Sequence, residues 1–189
     1  ETGVADAYTS VEGLTHGQWF AGGVMRSVHR YASDGFVITM LIHMVRHFAF
    51  NHYRGFRWFS WVTGVVLIWL VYSAGITGFM LPWDHLAQYT IIAAFEWFDW
   101  LPGFGGTLMR NFIYPDSVND RFFSLLAFMH IGISLVLLLL QWIHVQRVPK
   151  ARTNPPRPIM TSVIVTLLLL SALRPVLSQG GAANLGEAV

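Results

Sequence analysis

Four apolar stretches long enough to cross a bilayer, which takes about 20 residues, set the terms for this chain. They run from about Arg30 to Phe50, Trp58 to Leu81, Phe122 to Val145, and Ile159 to about Leu177, the last interrupted by Arg174-Pro175, where it is short or ends. The first is the most polar, with Asp34, His43, Arg46 and His47 inside it and His29 at its entry. A span that polar should face protein or a cofactor rather than lipid. Composition agrees with a membrane protein: 54% of the 189 residues are hydrophobic and 12% charged, where a soluble domain carries about 25% charged residues. That excludes a disordered chain, a coiled coil and an ordinary cytosolic enzyme, and no nucleic-acid partner is expected. Cysteine is absent, so the chain supplies no disulfide, thiolate metal site or thioether-bound haem.

The loops sort by charge. Arg54 and Arg57 lie between the first two spans, and Arg147, Lys150, Arg152 and Arg157 between the last two, with no acid in either loop. Asp6, Glu12, Asp84, Glu96, Asp99, Asp116 and Asp120 gather on the other side, against Arg110 and Arg121. The positive-inside rule puts the basic loops in the cytoplasm and the segment before span one outside. A bacterial plasma membrane is the expected location. A chain entering from outside calls for an earlier helix, absent here, or a cleaved signal peptide. The aromatic, Gly/Pro-punctuated loop from Pro82 to Asp120 should fold as short surface helices, and Val11 to Ser27 likewise. Residues 1–150 then form one helical domain. Residues 151–189 comprise a Thr153–Pro156 linker, one further span and a disordered tail after Gln179.

Histidine carries the chemistry. His29 and His43 are 14 residues apart on span one, and His130 and His144 are 14 apart on span three. Fourteen residues is nearly four turns, so each pair lies on one helix face, roughly 21 Å apart along the axis. Spans one and three run in the same direction. His29 can therefore face His130 near the outside, and His43 can face His144 near the cytoplasm. Two histidines with no open position suit a six-coordinate haem that carries electrons. Hydrogen-bonding histidines between helices are the simpler reading for any one of them, but equal spacing on two parallel spans argues for ligation. His47, one turn from His43, is a rival ligand without the matching spacing. His16, His52 and His85 fall in loops.

Gly64 and Gly78 on span two are also 14 residues apart. Glycine costs a helix up to about 1 kcal/mol relative to Ala. Close helix packing is the common reason for it in membranes; beside the two histidine pairs, clearance for a flat macrocycle at two depths is the better one. Arg26 and Arg30 flank His29, and Arg46 follows His43, as candidate partners for haem propionates through charge-assisted hydrogen bonds. Interfacial snorkelling is the competing reading for Arg30. Asp34 is left open between pairing with an Arg, hydrogen-bonding a helix neighbour and carrying a proton in a quinone path.

Arg26-Ser27-Val28-His29-Arg30 followed by His43-Met44-Val45-Arg46 resembles the second span of the cytochrome b family, especially its short chloroplast and cyanobacterial form. Trp61-Val62-Thr63-Gly64-Val65-Val66-Leu67 is similar to the start of the family's third span, and Thr77-Gly78-Phe79-Met80-Leu81-Pro82-Trp83-Asp84 to the Thr-Gly-Tyr-x-Leu-Pro-Trp signature at its end. Arg121-Phe122-Phe123-Ser124 resembles the entry to the fourth. The resemblance covers roughly Glu1 to Asn154. It departs on span three, where the family pattern would put the first ligand at Leu126 instead of His130. The Pro-Glu-Trp-Tyr motif of the outer quinol site is not in the sequence.

The resemblance implies an all-α transmembrane bundle binding two b haems, outer on His29 and His130, inner on His43 and His144, with surface helices in the outer loop. It implies a subunit that moves electrons across the membrane within a quinol-oxidising complex and is not a complete enzyme alone, with no catalytic side chain of its own assigned. Partners would be membrane lipid, quinone, an iron–sulfur protein, a c-type cytochrome and a chain holding the missing quinol motif. The outer quinone pocket would lie near Pro82–Tyr89, and an inner one near His47 or Arg46. Two rival functions remain at this point. One is a b-haem membrane anchor passing electrons between quinone and a different dehydrogenase or reductase, against which the Leu-Pro-Trp signature argues. The other is a haem-free transporter bundle whose histidines relay protons.

Overall fold

The computed structural model describes residues 3–114, 118–148 and 151–183; Asp116, Lys150 and the last six residues of the expected tail lie outside them. Among the described residues there are seven α-helices and no β-strand. They are α1 (Val4–Glu12), α2 (Val24–Ala49), α3 (Trp58–Met80), α4 (His85–Asp99), α5 (Thr107–Phe112), α6 (Asp120–Gln146) and α7 (Arg157–Leu173). The chain is an all-α membrane protein, as its spans require: in lipid a helix satisfies every backbone polar group within the segment. The short helix Gly55–Arg57 continues into α3, and this 26-residue stretch and the 27-residue α6 are long and apolar enough to cross a membrane on their own. α2 has 26 residues but owes its place to length rather than apolarity, since histidines, arginines and Asp34 interrupt it. α7 has 17 residues and stops at Leu173.

One boundary differs from the sequence expectation, and another falls where Arg174-Pro175 interrupts the fourth apolar stretch. α2 starts at Val24, so Ser27 sits inside the long helix and not in a surface segment. Its hydroxyl donates to the Gly23 carbonyl at 2.8 Å and accepts the Val176 N–H at 2.9 Å. α7 ends at Leu173 because Arg174 precedes Pro175: a residue before proline is pushed out of the helical region, and Arg174 has φ −135° and ψ 71°.

The chain divides into two compact units, each discontinuous in sequence. The first comprises residues 1–18, 75–131 and 177–189, and its apolar core includes Met80, Trp83, Ile91, Ile113, Phe122, Phe123 and Leu126. Short polar residues start its helices. Asp84 caps α4 by accepting the Ala87 N–H at 2.8 Å. Asn119 accepts the Phe122 N–H at 3.0 Å. Asp99 accepts the N–H groups of Leu108 and Met109 at the start of α5.

The tail is not loose where it is described. Gln179 N–H donates to the second carboxylate oxygen of Asp84 at 2.8 Å, His85 N–H donates to Gly181 O, and Ala183 N–H donates to Trp83 O. This strap holds Trp83 in the left-handed region at φ 47°, a conformation that costs an L-residue about 1–2 kcal/mol. Asp84 is thus shared between a helix cap and the strap, and is only 6% exposed. Asp84→Ala should cost about 2 kcal/mol, from a lost cap and a backbone N–H left without its acceptor. Hydrogen exchange at the Ala87 and Gln179 amides should then quicken roughly 30-fold; unchanged protection would show that the strap holds without the carboxylate.

The second unit comprises residues 19–74 and 132–176. In it α7 packs along α2, fastened by the Ser27–Val176 bond and by the Tyr31 hydroxyl, which donates to Arg174 O at 2.7 Å. Large apolar side chains such as Ile42, Trp69, Leu139 and Leu169 stay exposed on the helices. In a soluble protein that would be a liability; on the helices of a membrane protein such faces suit lipid or another helix.

Candidate functional site

His43 projects from α2 and His144 from α6, within the second unit. Their ring centroids are 6.5 Å apart with an interplanar angle of 65°. Imidazole–metal bonds are about 2 Å long and a ring nitrogen lies about 1 Å from its centroid, so two rings on one metal sit roughly 6 Å apart. The observed separation therefore suits ligation from both sides.

Thr63 on α3 sets the tautomer of His144. Its single hydroxyl proton is directed at the Phe59 carbonyl, 2.9 Å away. Its oxygen is 2.9 Å from His144 Nδ1 and therefore accepts the Nδ1–H. That leaves Nε2 of His144 with a lone pair, the form a metal ligand needs. The next residue, Gly64, keeps the ring in place by having no side chain: a Cβ there would lie 3.2 Å from His144 Cε1.

His47 is engaged elsewhere. Its Nδ1 is 2.9 Å from Nδ1 of His52, which also receives the Arg57 guanidinium at 2.8 Å. Both neighbours donate to the one lone pair, so His52 is neutral. Desolvation first, then the charges of Arg57 and Arg46, hold His52 below the ordinary histidine value. The ring of His47 lies 4.3 Å from that of His43, tilted by 51°.

A cavity of about 840 Å³ opens beside His43 and His144, within the size range of cofactor sites. Its walls include Phe36, Met40, Gly64, Leu67, Leu138 and Trp142. No group of three or more His, Cys, Asp or Glu able to hold a metal occurs among the described residues. A metal held by two histidines must bring its remaining ligands with it, which haem does. Paired rings, a set tautomer, a glycine cradle and an apolar cavity together fit that group.

In the first unit, His130 on α6 lies against Gly78 on α3. A Cβ on Gly78 would come 2.7 Å from His130 Nδ1 and 3.3 Å from Nε2. Both glycines singled out in the sequence thus face a histidine singled out with them. His29 belongs to the second unit, so its pairing with His130 remains an expectation of spacing. Arg30 pairs with Asp34, Nε to Oδ2 at 3.1 Å on the exposed side of α2, which gives Asp34 a partner. The Arg46 guanidinium lies 5.5 Å from the Phe50 ring centroid and does not line the cavity, whereas Arg57 and Arg152 do. Sequence reasoning gave Thr63, Arg57 and Arg152 no place at this site: Thr63 stood only within the Trp61–Leu67 motif, and the two arginines counted only as loop charges.

The family model described as cytochrome b(N-terminal)/b6/petB matches residues 34–178. The chain belongs to the cytochrome b family. Cytochrome b6 of Gracilaria tenuistipitata var. liui is 30% identical over 148 residues, covering 76% of this chain and 68% of the relative. Cytochrome b6 of Porphyra purpurea gives the same identity and coverage, and that of Chlamydomonas reinhardtii is 29% identical over the same shares. Membership of the cytochrome b family, on the b6 side, makes this a membrane protein of electron transport and brings b-type haem with it. The matched residues include His43, Gly64, Gly78, His130 and His144; His29, Arg26 and Arg30 precede them.

Proposed function

We propose that this chain is the cytochrome b subunit of a quinol-oxidising electron-transfer complex and holds two b haems, the inner on His43 and His144 and the outer on His29 and His130. The observation that carries the reading is the apposition of His43 and His144 beside the cavity, with Thr63 fixing the His144 tautomer. When bound, each haem supplies an iron that takes up and gives back one electron. The chain's own residues do the rest. Two imidazoles would hold each haem, Gly64 and Gly78 would leave room at the two depths, and apolar walls would exclude water, which tunes the potential.

The two sites on one pair of helices, roughly 21 Å apart along the axis, form a route across the membrane. On this reading quinone is the substrate, and an iron–sulfur protein, a c-type cytochrome and a chain completing the outer quinol site are partners. The location is a bacterial plasma membrane with Arg57 and Arg152 on the cytoplasmic side. The test is reduced-minus-oxidised spectroscopy with haem quantitation on the purified membrane protein. Two b haems per chain with separate potentials are expected. One haem would remove the outer pair from the reading, and none would overturn it.

A further inference from the structure

We propose that the corner between α3 and α4, Trp83 to Leu86, docks an extended peptide segment of another chain, and that residues 177–183 fill it in cis as a strap that can be displaced. The strap shows what the corner recognises, because its contacts there are almost wholly main-chain. Gly181 O accepts the His85 N–H at 3.1 Å, Gln179 O accepts the Leu86 N–H at 3.3 Å, and the Ala183 N–H donates to Trp83 O at 3.3 Å. Asp84 and Ala182 pair as an antiparallel bridge, and the Asp84 carboxylate takes the Gln179 N–H at 2.8 Å. The His85 and Leu86 amides open α4 and have no acceptor within the helix, so they call for carbonyls from a segment alongside. Residues 180–183 are Gly-Gly-Ala-Ala. No bulky side chain restricts the fit, and strand-like addition of this kind draws its affinity from backbone hydrogen bonds.

The same composition makes the strap easy to lift. Gly180 and Gly181 lie at φ 85° and 83°, and glycine loses more conformational freedom on ordering than any other residue. Gln179, Gly180 and Ala182 are exposed. Beyond the corner, the Ser178 hydroxyl ties the strap to α1 by donating to Glu12 Oε1 at 2.6 Å. The strapped corner also carries costs of its own. Trp83 is held at φ 47°, a conformation that disfavours an L-residue. Its indole Nε1 is buried with no hydrogen-bond partner among the described residues, and residues 180–183 have no side-chain acceptor to offer it. A cover held by a few backbone bonds over a strained, under-satisfied corner is one that a second extended segment with the same spacing of N–H and C=O groups can replace.

The probe is a blocked, fluorescently labelled peptide with the strap's own sequence, Leu-Ser-Gln-Gly-Gly-Ala-Ala, titrated into the purified full chain and read by anisotropy. Two variants set the state of the strap. Gly181→Val puts a β-branched residue at φ 83° and should release it. His85→Cys combined with Gly180→Cys should lock it when oxidised. A Cβ on Gly180 would lie 3.0 Å from His85 Cβ, near the spacing a disulfide needs, and the chain has no other cysteine. Peptide binding should be weak in the unsubstituted chain and several-fold tighter in Gly181→Val, where more molecules have an open corner. It should vanish in the oxidised double-cysteine chain and return on reduction. A peptide N-methylated at its glutamine nitrogen cannot donate to Asp84 and should bind several-fold more weakly. Hydrogen exchange should show the strap amides of the unsubstituted chain opening faster than those inside α6. Equal binding to the locked and reduced chains overturns the proposal, as does absent binding to Gly181→Val whose strap amides exchange freely. Strap amides as slow as the interior of α6 also overturn it, making the segment a fixed part of the fold. None of these readouts depends on haem.

Discussion

Replacing His144 with Leu should remove one b haem per chain and leave the other in place. On the proposed reading the imidazole is a metal ligand, and its tautomer suits that role, since Thr63 accepts its Nδ1–H at 2.9 Å and leaves Nε2 bare. Leucine fills similar space but has no lone pair, so the loss is of ligation more than of packing. The Thr63 hydroxyl still donates to Phe59 O, so no buried donor is left without an acceptor. The apoprotein should therefore fold. Haem quantitation should fall by half, and the surviving spectrum should keep one potential. His47→Gln is the matching control. His47 shares His52 Nδ1 with Arg57, stands 4.3 Å from His43 and lines the same cavity, so it is close to the site with its Nδ1 already engaged. It should keep both haems. Loss of a haem in His47→Gln with retention in His43→Gln would exchange the two histidines' roles.

The parts of this protein that were legible in the sequence are those written as periodicity. Long apolar runs have one solution in lipid, so α3 and α6 lie within two residues of their expected ends. The 14-residue intervals are visible because a helix converts sequence distance into a face, and Gly64 and Gly78 indeed meet His144 and His130. Contacts that depend on segments distant in sequence were not legible. Nothing local marks Gln179 as the partner of Asp84, 95 residues earlier. A run ending in small residues and glycines reads as loose even where Gly180 and Gly181, both at positive φ, let it wrap over His85. Arg57 and Arg152 were legible as topology signals only. That both also line the cavity beside His43 and His144 depends on packing between segments distant in sequence. Arg46 was nominated because it lies three residues from His43, a spacing that does not show where its guanidinium goes; it lies 5.5 Å from the Phe50 ring centroid.

Gly78→Ala should remove the haem held through His130 while making the empty protein more stable. A methyl at that position would lie 2.7 Å from His130 Nδ1, well inside van der Waals contact, so the imidazole must move. Ligands tolerate only about 0.5 Å of displacement before a site fails. In the absence of haem the ring can swing aside, and alanine then strengthens α3 by about 1 kcal/mol relative to glycine. Opposite signs for cofactor retention and helix stability are what separate a clearance role from simple close packing, in which both would fall. Gly64→Ala faces a milder contact, 3.2 Å to His144 Cε1. A few tenths of an ångström would relieve it, so that haem should remain with a shifted potential. Gly75, on the same helix, would meet nothing within 4 Å of an added methyl and provides the neutral comparison: Gly75→Ala should keep both haems. Haem content and thermal melting of the three variants, measured side by side, check this ordering. Equal haem retention in Gly78→Ala and Gly75→Ala would show that His130 does not need the space Gly78 leaves.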